Sequence, residues 1–134
     1  MIDIVNEVFD SVAKSVREKH ESVNLLSEYV RRPAEFPAVT VDEIRNTPVD
    51  RLEDSSREER YASVTYRVQV FSNKRNKKKT EAREIFATVD MVMRIMGFRR
   101  VTYTTTPEIY ESTIYSITAT YEAVVSNEGF VYAR

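Results

Sequence analysis

Cysteine is absent from the sequence, which removes disulfides, thiolate zinc sites and thiol catalysis together and suits a reducing compartment. Glycine occurs only twice, at Gly97 and Gly129. A Walker loop or a dinucleotide fingerprint needs several residues that let backbone approach phosphate, so nucleotide cofactors are not expected and no cofactor is assigned. The one histidine, His20, lies where a helix is expected to end, and an imidazolium is favoured there by the helix dipole. A surface or capping role for it precedes that of a general base. Neither sign of charge dominates: 20 Lys and Arg stand against 21 Asp and Glu, so no global field exists to hold DNA or an anionic membrane. No apolar run approaches the roughly 20 residues of a membrane helix. MIDIVNEVFDSV carries acids where a signal peptide would carry Lys or Arg, so the protein is expected to be soluble and unprocessed, with no membrane partner.

The 134 residues that remain suit one domain with one core. Ile4, Val5, Val8, Phe9, Val12 and Val16 form one stripe of an amphipathic helix over about 3–19, with Asp3 as N-cap. A β-prone stretch, Val23 to Val30, leads into RRPAEFP, where Pro33 and Pro37 mark a turn or an irregular edge. AVTVDEI, 38–44, reads as a strand. Residues 45–60, RNTPVDRLEDSSREER, are polar and lack apolar periodicity, which predicts a long exposed loop. Its Asp50, Glu53, Asp54, Glu58 and Glu59 read as solvated charge, because a metal or an acid pair needs rigid placement.

From Arg60 to Phe71, Ala62, Val64, Tyr66, Val68 and Val70 alternate with Ser63, Thr65, Arg67 and Gln69, the pattern of a strand with one face on the core. A second helix is expected over about 80–96, with Thr80 as N-cap and Gly97 just past its end. Met91 and Ile95 widen its apolar surface beyond one stripe, so it is either deeply buried or touches a partner. Strands follow at 98–106, turned at Pro107, and at 112–125, with Tyr115, Ile117, Ala119, Tyr121, Ala123 and Val125 inward. SNEG, 126–129, turns into a last strand, FVYA. The fold class is α+β: one domain with a largely antiparallel or mixed sheet and both helices on one face.

SNKRNKKKTEA and the Arg83 beyond it concentrate basic charge between a strand and a helix. No aromatic residue interleaves it, and Lys77, Lys78 and Lys79 lie where the helix dipole disfavours cations. A solvated turn is the plainest reading, ahead of a contact with an acidic protein partner and of a nucleic-acid grip. The tyrosines on inward positions read as core residues before they read as stacking platforms.

MIDIVNEVFDSV, EYVRRPAEFPAVTVDEI, a polar loop with EDSSREE, YRVQVFSNKRNKKKTEAREIFATVDMVMRIMGFRRV and IYSITATYEAVVSNEGFVYAR, taken in that order, resemble the tail terminator (tail completion) proteins of long-tailed bacteriophages. The likeness covers nearly the whole chain. It rests on an R-x-P-x-x-F-P turn, a strand ending in FSNK, a helix closing on GF, and a hairpin of the form Y-x-A-V-V-S-x-x-G-x-V-Y. It implies a structural virion protein, not an enzyme: a homo-oligomeric ring, usually a hexamer, in the phage neck. Such a ring caps the tail tube protein, ends tail polymerisation and meets the head connector or stopper, with DNA passing only in transit. It would be found in the virion, and in host cytoplasm during assembly. The residues expected at its protein contacts are Arg31, Arg32 and Phe36 of the turn, Asp54 of the loop, Lys77, Lys78 and Lys79, and Met91 and Ile95. The alternatives are a small nucleic-acid-binding α+β domain using the basic 74–83 stretch, and an enzyme subunit whose site forms between chains from Arg31, Arg32, His20 and loop carboxylates.

Overall fold

In the computed structural model, which describes residues 1–49, 61–105, 113–127 and 131–132, the apolar stripe near the N-terminus forms helix α1, Val5–Lys19. Val8, Val12, Ala13 and Val16 are its buried residues. Ile4 occupies the N-cap, and Asp3 stands one residue further out, where its Oδ1 accepts the Val5 N–H at 3.1 Å. The carboxylate thus satisfies an early donor, from N′ and not from the expected cap position. His20 closes the helix in extended conformation, its N–H donating to the Val16 carbonyl at 2.7 Å.

Helix α2, Lys78–Ile95, begins two residues before the expected start at Thr80. Asn76, at φ 64°, reverses the chain in the left-handed region that Asn tolerates, and Lys77 takes the N-cap. Cap preference pointed to Thr80, but the turn geometry at Asn76 decides the boundary. At the other end Gly97 has φ 98°, and two bonds close the helix: Gly97 N–H to the Arg94 carbonyl and Phe98 N–H to the Met93 carbonyl, both 3.0 Å. This is a Schellman closure with Met96 as C-cap, and it delivers the buried Phe98 back onto the core.

Among the described residues six strands make one sheet: β1 (Asn24–Leu26), β2 (Ala38–Pro48), β3 (Tyr61–Ser72), β4 (Arg99–Thr105), β5 (Tyr115–Ser126) and β6 (Val131–Tyr132). Their order is β1-β2-β3-β5-β4, with β6 also on β5. β1 runs parallel to β2 and every other pair is antiparallel, so the sheet is mixed. β3 and β5 pair without interruption from Tyr61↔Ser126 to Ser72↔Tyr115. The alternating residues of the two strands therefore share a face, and Val64, Tyr66, Val68, Ile117, Ala119 and Tyr121 meet both helices in one core. Phe98 packs edge-on to Tyr66, the ring centroids 5.5 Å apart.

Two further expectations need correction. Residues 45–48 are strand, not loop: Arg45, Asn46, Thr47 and Pro48 pair with Thr65, Val64, Ser63 and Ala62. Their polar composition hid the strand because they lie on a sheet margin, where exposed side chains and a terminal proline are tolerated. Expectations for residues 50–60, for the turn at Pro107 and for most of the 126–129 hairpin lie outside the described residues. The stretch from Val23 to Val30 yields only the three residues of β1. Beyond them the chain leaves the margin and crosses the face opposite the helices, where Val30 and Phe36 pack on a second apolar cluster of Ala38, Phe71 and Ile114.

The main core sets a contrast on one helix. Ile85 is fully buried, and Ile85→Ala should cost about 2–5 kcal/mol through lost contacts and a cavity. Ile95 is 77% exposed, and Ile95→Ala should change stability by no more than about 0.5 kcal/mol. Urea unfolding of both variants measures the difference, and equal losses would contradict the assigned face of α2.

Candidate interaction surfaces

Met91 and Ile95 lie on the outward side of α2, 42% and 77% exposed, and with Ala87, Asp90 and Arg94 they line a shallow cleft of about 440 Å³. The adjoining strand is β4, every residue of which is exposed. Arg100 of β4 reaches Asp90 of α2 at 3.0 Å, and the Tyr103 ring stands edge-on to Phe86 at 5.1 Å. Val101 and Tyr103, 45% and 43% exposed, extend the apolar surface from helix to sheet margin. The sequence marked Met91 and Ile95 as surplus apolar width, but not their strand neighbours. In FRRVTYTTT the two arginines beside exposed Val101 and Tyr103 are the signal of a charge-blunted edge.

Arg31, Arg32 and Phe36 lie elsewhere, on the segment 27–37 that covers the opposite face of the sheet. Arg31 and Arg32 are exposed, and the Arg32 guanidinium lies 5.7 Å from the Phe36 ring centroid. Phe36 is half-buried against its own chain, so it anchors the segment more than it offers itself to a partner. Buried Gln69 holds the segment down: its Oε1 accepts from Val30 N–H at 3.4 Å and Thr40 Oγ1 at 2.7 Å, and its Nε2 donates to the Val30 carbonyl at 3.2 Å. A side chain thus takes the place of strand pairing for Val30. Beside it Arg67 makes a two-pronged contact with Asp42, at 3.2 and 2.7 Å, and lies 4.3 Å from the Tyr29 ring centroid.

The basic stretch is a turn leading into the first turn of α2. Lys77 is the N-cap and Lys79 is exposed, while Lys78 is half-exposed. Among the described residues none of Lys74, Arg75, Lys77, Lys78 and Lys79 has an ion-pair partner. Lys74 and Lys77 border a cleft of about 360 Å³ together with His20, Glu81 and Glu84. Glu81 accepts the Ser72 hydroxyl at 2.6 Å. His20 Nε2 shares a hydrogen bond with Thr88 Oγ1 at 2.8 Å, tying the end of α1 to the middle of α2. The capping role expected for His20 is joined by this interhelical bond, which no sequence spacing announced. Asp54 and the other loop carboxylates lie outside the described residues. Among the described residues no three His, Asp or Glu side chains converge as metal ligands, and no helix is long and apolar enough to cross a membrane.

Two tyrosines on the core face end in carboxylates. Tyr66 donates to Glu43 Oε2 and Tyr121 to Asp90 Oδ1, each at 2.7 Å. Burial is the first cause that pushes both phenols well above their ordinary range, and the hydrogen-bonded carboxylate is the second. Asp3 and Glu7 add to the negative field at Tyr66, whereas Arg100 opposes it at Tyr121.

No protein-family model matches the chain, and no curated protein matches its sequence.

A raised phenol pKa means that the folded state holds the proton more tightly than the unfolded chain. The stability this contributes is fully present below the unfolded value of about 10 and is lost as pH rises past it toward the folded value. Denaturant unfolding against pH should therefore show a fall above pH ~10 that is shallower in the Tyr66→Phe, Tyr121→Phe double variant. Near neutrality each single variant should lose about 1 kcal/mol, because a half-buried carboxylate loses one of its donors while Asn46 still serves Glu43 and Arg100 still serves Asp90. An identical alkaline fall in wild type and double variant would remove the tyrosines from the account.

Proposed function

We propose that the chain is a structural subunit of the neck of a long-tailed bacteriophage. It forms a ring, hexameric in the usual case, that caps the tail tube, ends tail polymerisation and meets the head connector. The sequence resemblance supplies the class. The observation that carries the reading is the exposure of four large apolar side chains, Met91, Ile95, Val101 and Tyr103, on the adjoining elements α2 and β4, with Arg94 and Arg100 beside them. Arg31 and Arg32 stand on a different surface, over the face opposite the helices. A head-to-tail contact between unlike surfaces closes into a ring when its rotation divides a full turn, and Arg31 and Arg32 stand apart from the apolar patch for a second partner. The work is geometric: a ring ends a stack when its far face does not copy the surface on which tube subunits polymerise. The cations from Lys74 to Lys79, without ion-pair partners among the described residues, give a contact for an acidic protein surface. The same cations favour, as the second reading, a local nucleic-acid grip.

Light scattering of the purified protein, with and without tail tubes, tests the ring, and a tail-to-head joining assay tests the role. Met91→Glu with Ile95→Glu should leave the fold intact and reduce assembly or tube capping at least tenfold. Replacement of Lys77, Lys78 and Lys79 by Gln should weaken joining, while affinity for duplex DNA stays in the weak range of about 10⁻⁴ to 10⁻⁶ M. Unchanged joining together with loss of a tight DNA complex would replace the neck reading with the nucleic-acid one.

A further inference from the structure

Among the described residues the sheet ends in two edges without a strand on their outer side. β1 pairs only with Ala38, Val39 and Thr40, so among the described residues the remainder of β2, Val41 to Pro48, has no strand on its outer side. At the opposite end β4 pairs, among the described residues, only with β5. The two free stretches are nearly equal in length, roughly 24–27 Å at about 3.3–3.4 Å per residue. Each is interrupted once, between Glu43 and Arg45 in β2 and between Arg100 and Thr102 in β4. Each interruption leaves one aliphatic residue without a register partner, Ile44 or Val101, and both are 45% exposed.

Bulges protect exposed edges, and that is their ordinary reading. Protection alone does not call for exposed isoleucine and valine at the bulges, where a lysine would serve better. Nor does it explain the charges. Among the described residues around the β2 edge, the carboxylates Asp3, Glu7, Asp42 and Glu43 outnumber the guanidinium groups of Arg45 and Arg67. Glu43, Asp3 and Glu7 all act on the same Tyr66 hydroxyl, and Arg67 is engaged by Asp42. Among the described residues around the β4 edge, Arg94, Arg99 and Arg100 outnumber Asp90 and Glu122, their ion-pair partners. Each edge therefore attracts the other and repels its own kind. The apolar groups agree in layer. Asn46 Nδ2 donates to the Ile2 carbonyl at 2.7 Å, which holds the N-terminal residues beside β2 on the helix-bearing side, and Met91 and Ile95 flank β4 on that same side.

We infer that one copy of the chain docks on the next by laying the outer edge of β2 against the outer edge of β4, so that the sheet continues from subunit to subunit with the helices kept in one layer. The occupant of each edge is a second copy of this chain. The inference rests on the ring reading above and specifies its contact: unlike edges, opposite charge, a heterologous joint that cannot terminate as a two-fold dimer.

The absence of cysteine makes the full chain a clean background for the test. Ile44→Cys and Val101→Cys are prepared singly, at exposed positions, and treated with a flexible bismaleimide under assembly conditions, alone and as an equimolar mixture. The expected result is a covalent dimer in the mixture, at least tenfold more than in either single sample, and a ladder from the chain carrying both changes. Thr47→Cys with Thr102→Cys, also exposed, repeats the measurement on neighbouring positions should either first variant fold poorly by circular dichroism. Efficient dimers from Val101→Cys alone, or from Ile44→Cys alone, would overturn the inference in favour of a like-with-like contact. Assembly by light scattering without cross-linking of either pair would also overturn it, while leaving the ring itself standing. No assembly under any condition, tubes included, would bring down the inference and the ring together.

Discussion

Every other element takes its place from the antiparallel pairing of β3 with β5, which runs without interruption over twelve residues of each strand. Because side chains alternate, this one register puts Val64, Tyr66 and Val68 on the same side as Ala123, Tyr121 and Ala119. A slip by one residue would send that whole set to the opposite face and leave the helices with threonines and charges to pack on. β2 then repeats the rule on the other flank of β3, with Val41 beside Val68 and Val39 beside Val70. The helices are consequences of that surface: their valines, Ile85 and Met93 meet an apolar face already defined by the ladder.

The opposite face is governed by polar chemistry. Gln69 sits among buried neighbours, and its amide answers both backbone groups of Val30 while Thr40 fills its remaining acceptor capacity. A buried amide with its partners in place fixes one arrangement of the segment above it, since every alternative leaves polar atoms dry and unpaired. Arg67, held by Asp42 and lying against Tyr29, continues the same attachment toward the open part of the sheet. The segment that carries Arg31 and Arg32 is thereby presented from a fixed base.

What was legible in the sequence follows the same division. β3 and β5 were readable because burial of one face imposes strict alternation, and α2 was readable because its apolar residues recur at three and four. Its starting point was not, because Asn76 sets it by backbone conformation while Thr80 only has the right side chain. The end of β2 was invisible for a different reason. Arg45, Thr47 and Pro48 belong to a margin, and a margin makes no periodic demand on side chains facing water. Met91 and Ile95 could be singled out as apolar surplus, but nothing in one chain's letters says which strand will lie at the end of a sheet. Val101, Tyr103 and the free part of β2 became visible only with the strand order.

Asp90 has a consequence of its own. It accepts the Tyr121 hydroxyl, pairs with Arg100 and stands within reach of Arg94, so one carboxylate is attached to the inner strand β5, the outermost strand β4 and its own helix α2. In mechanical terms it is a cross-brace. A sideways load on β4 is passed to β5 and α2 through short charged contacts, in addition to the backbone ladder, and is spread over three elements before any of them can peel away. The exposed margin is thus also tied, through Asp90 and Tyr121, to the strand pair whose register is unbroken.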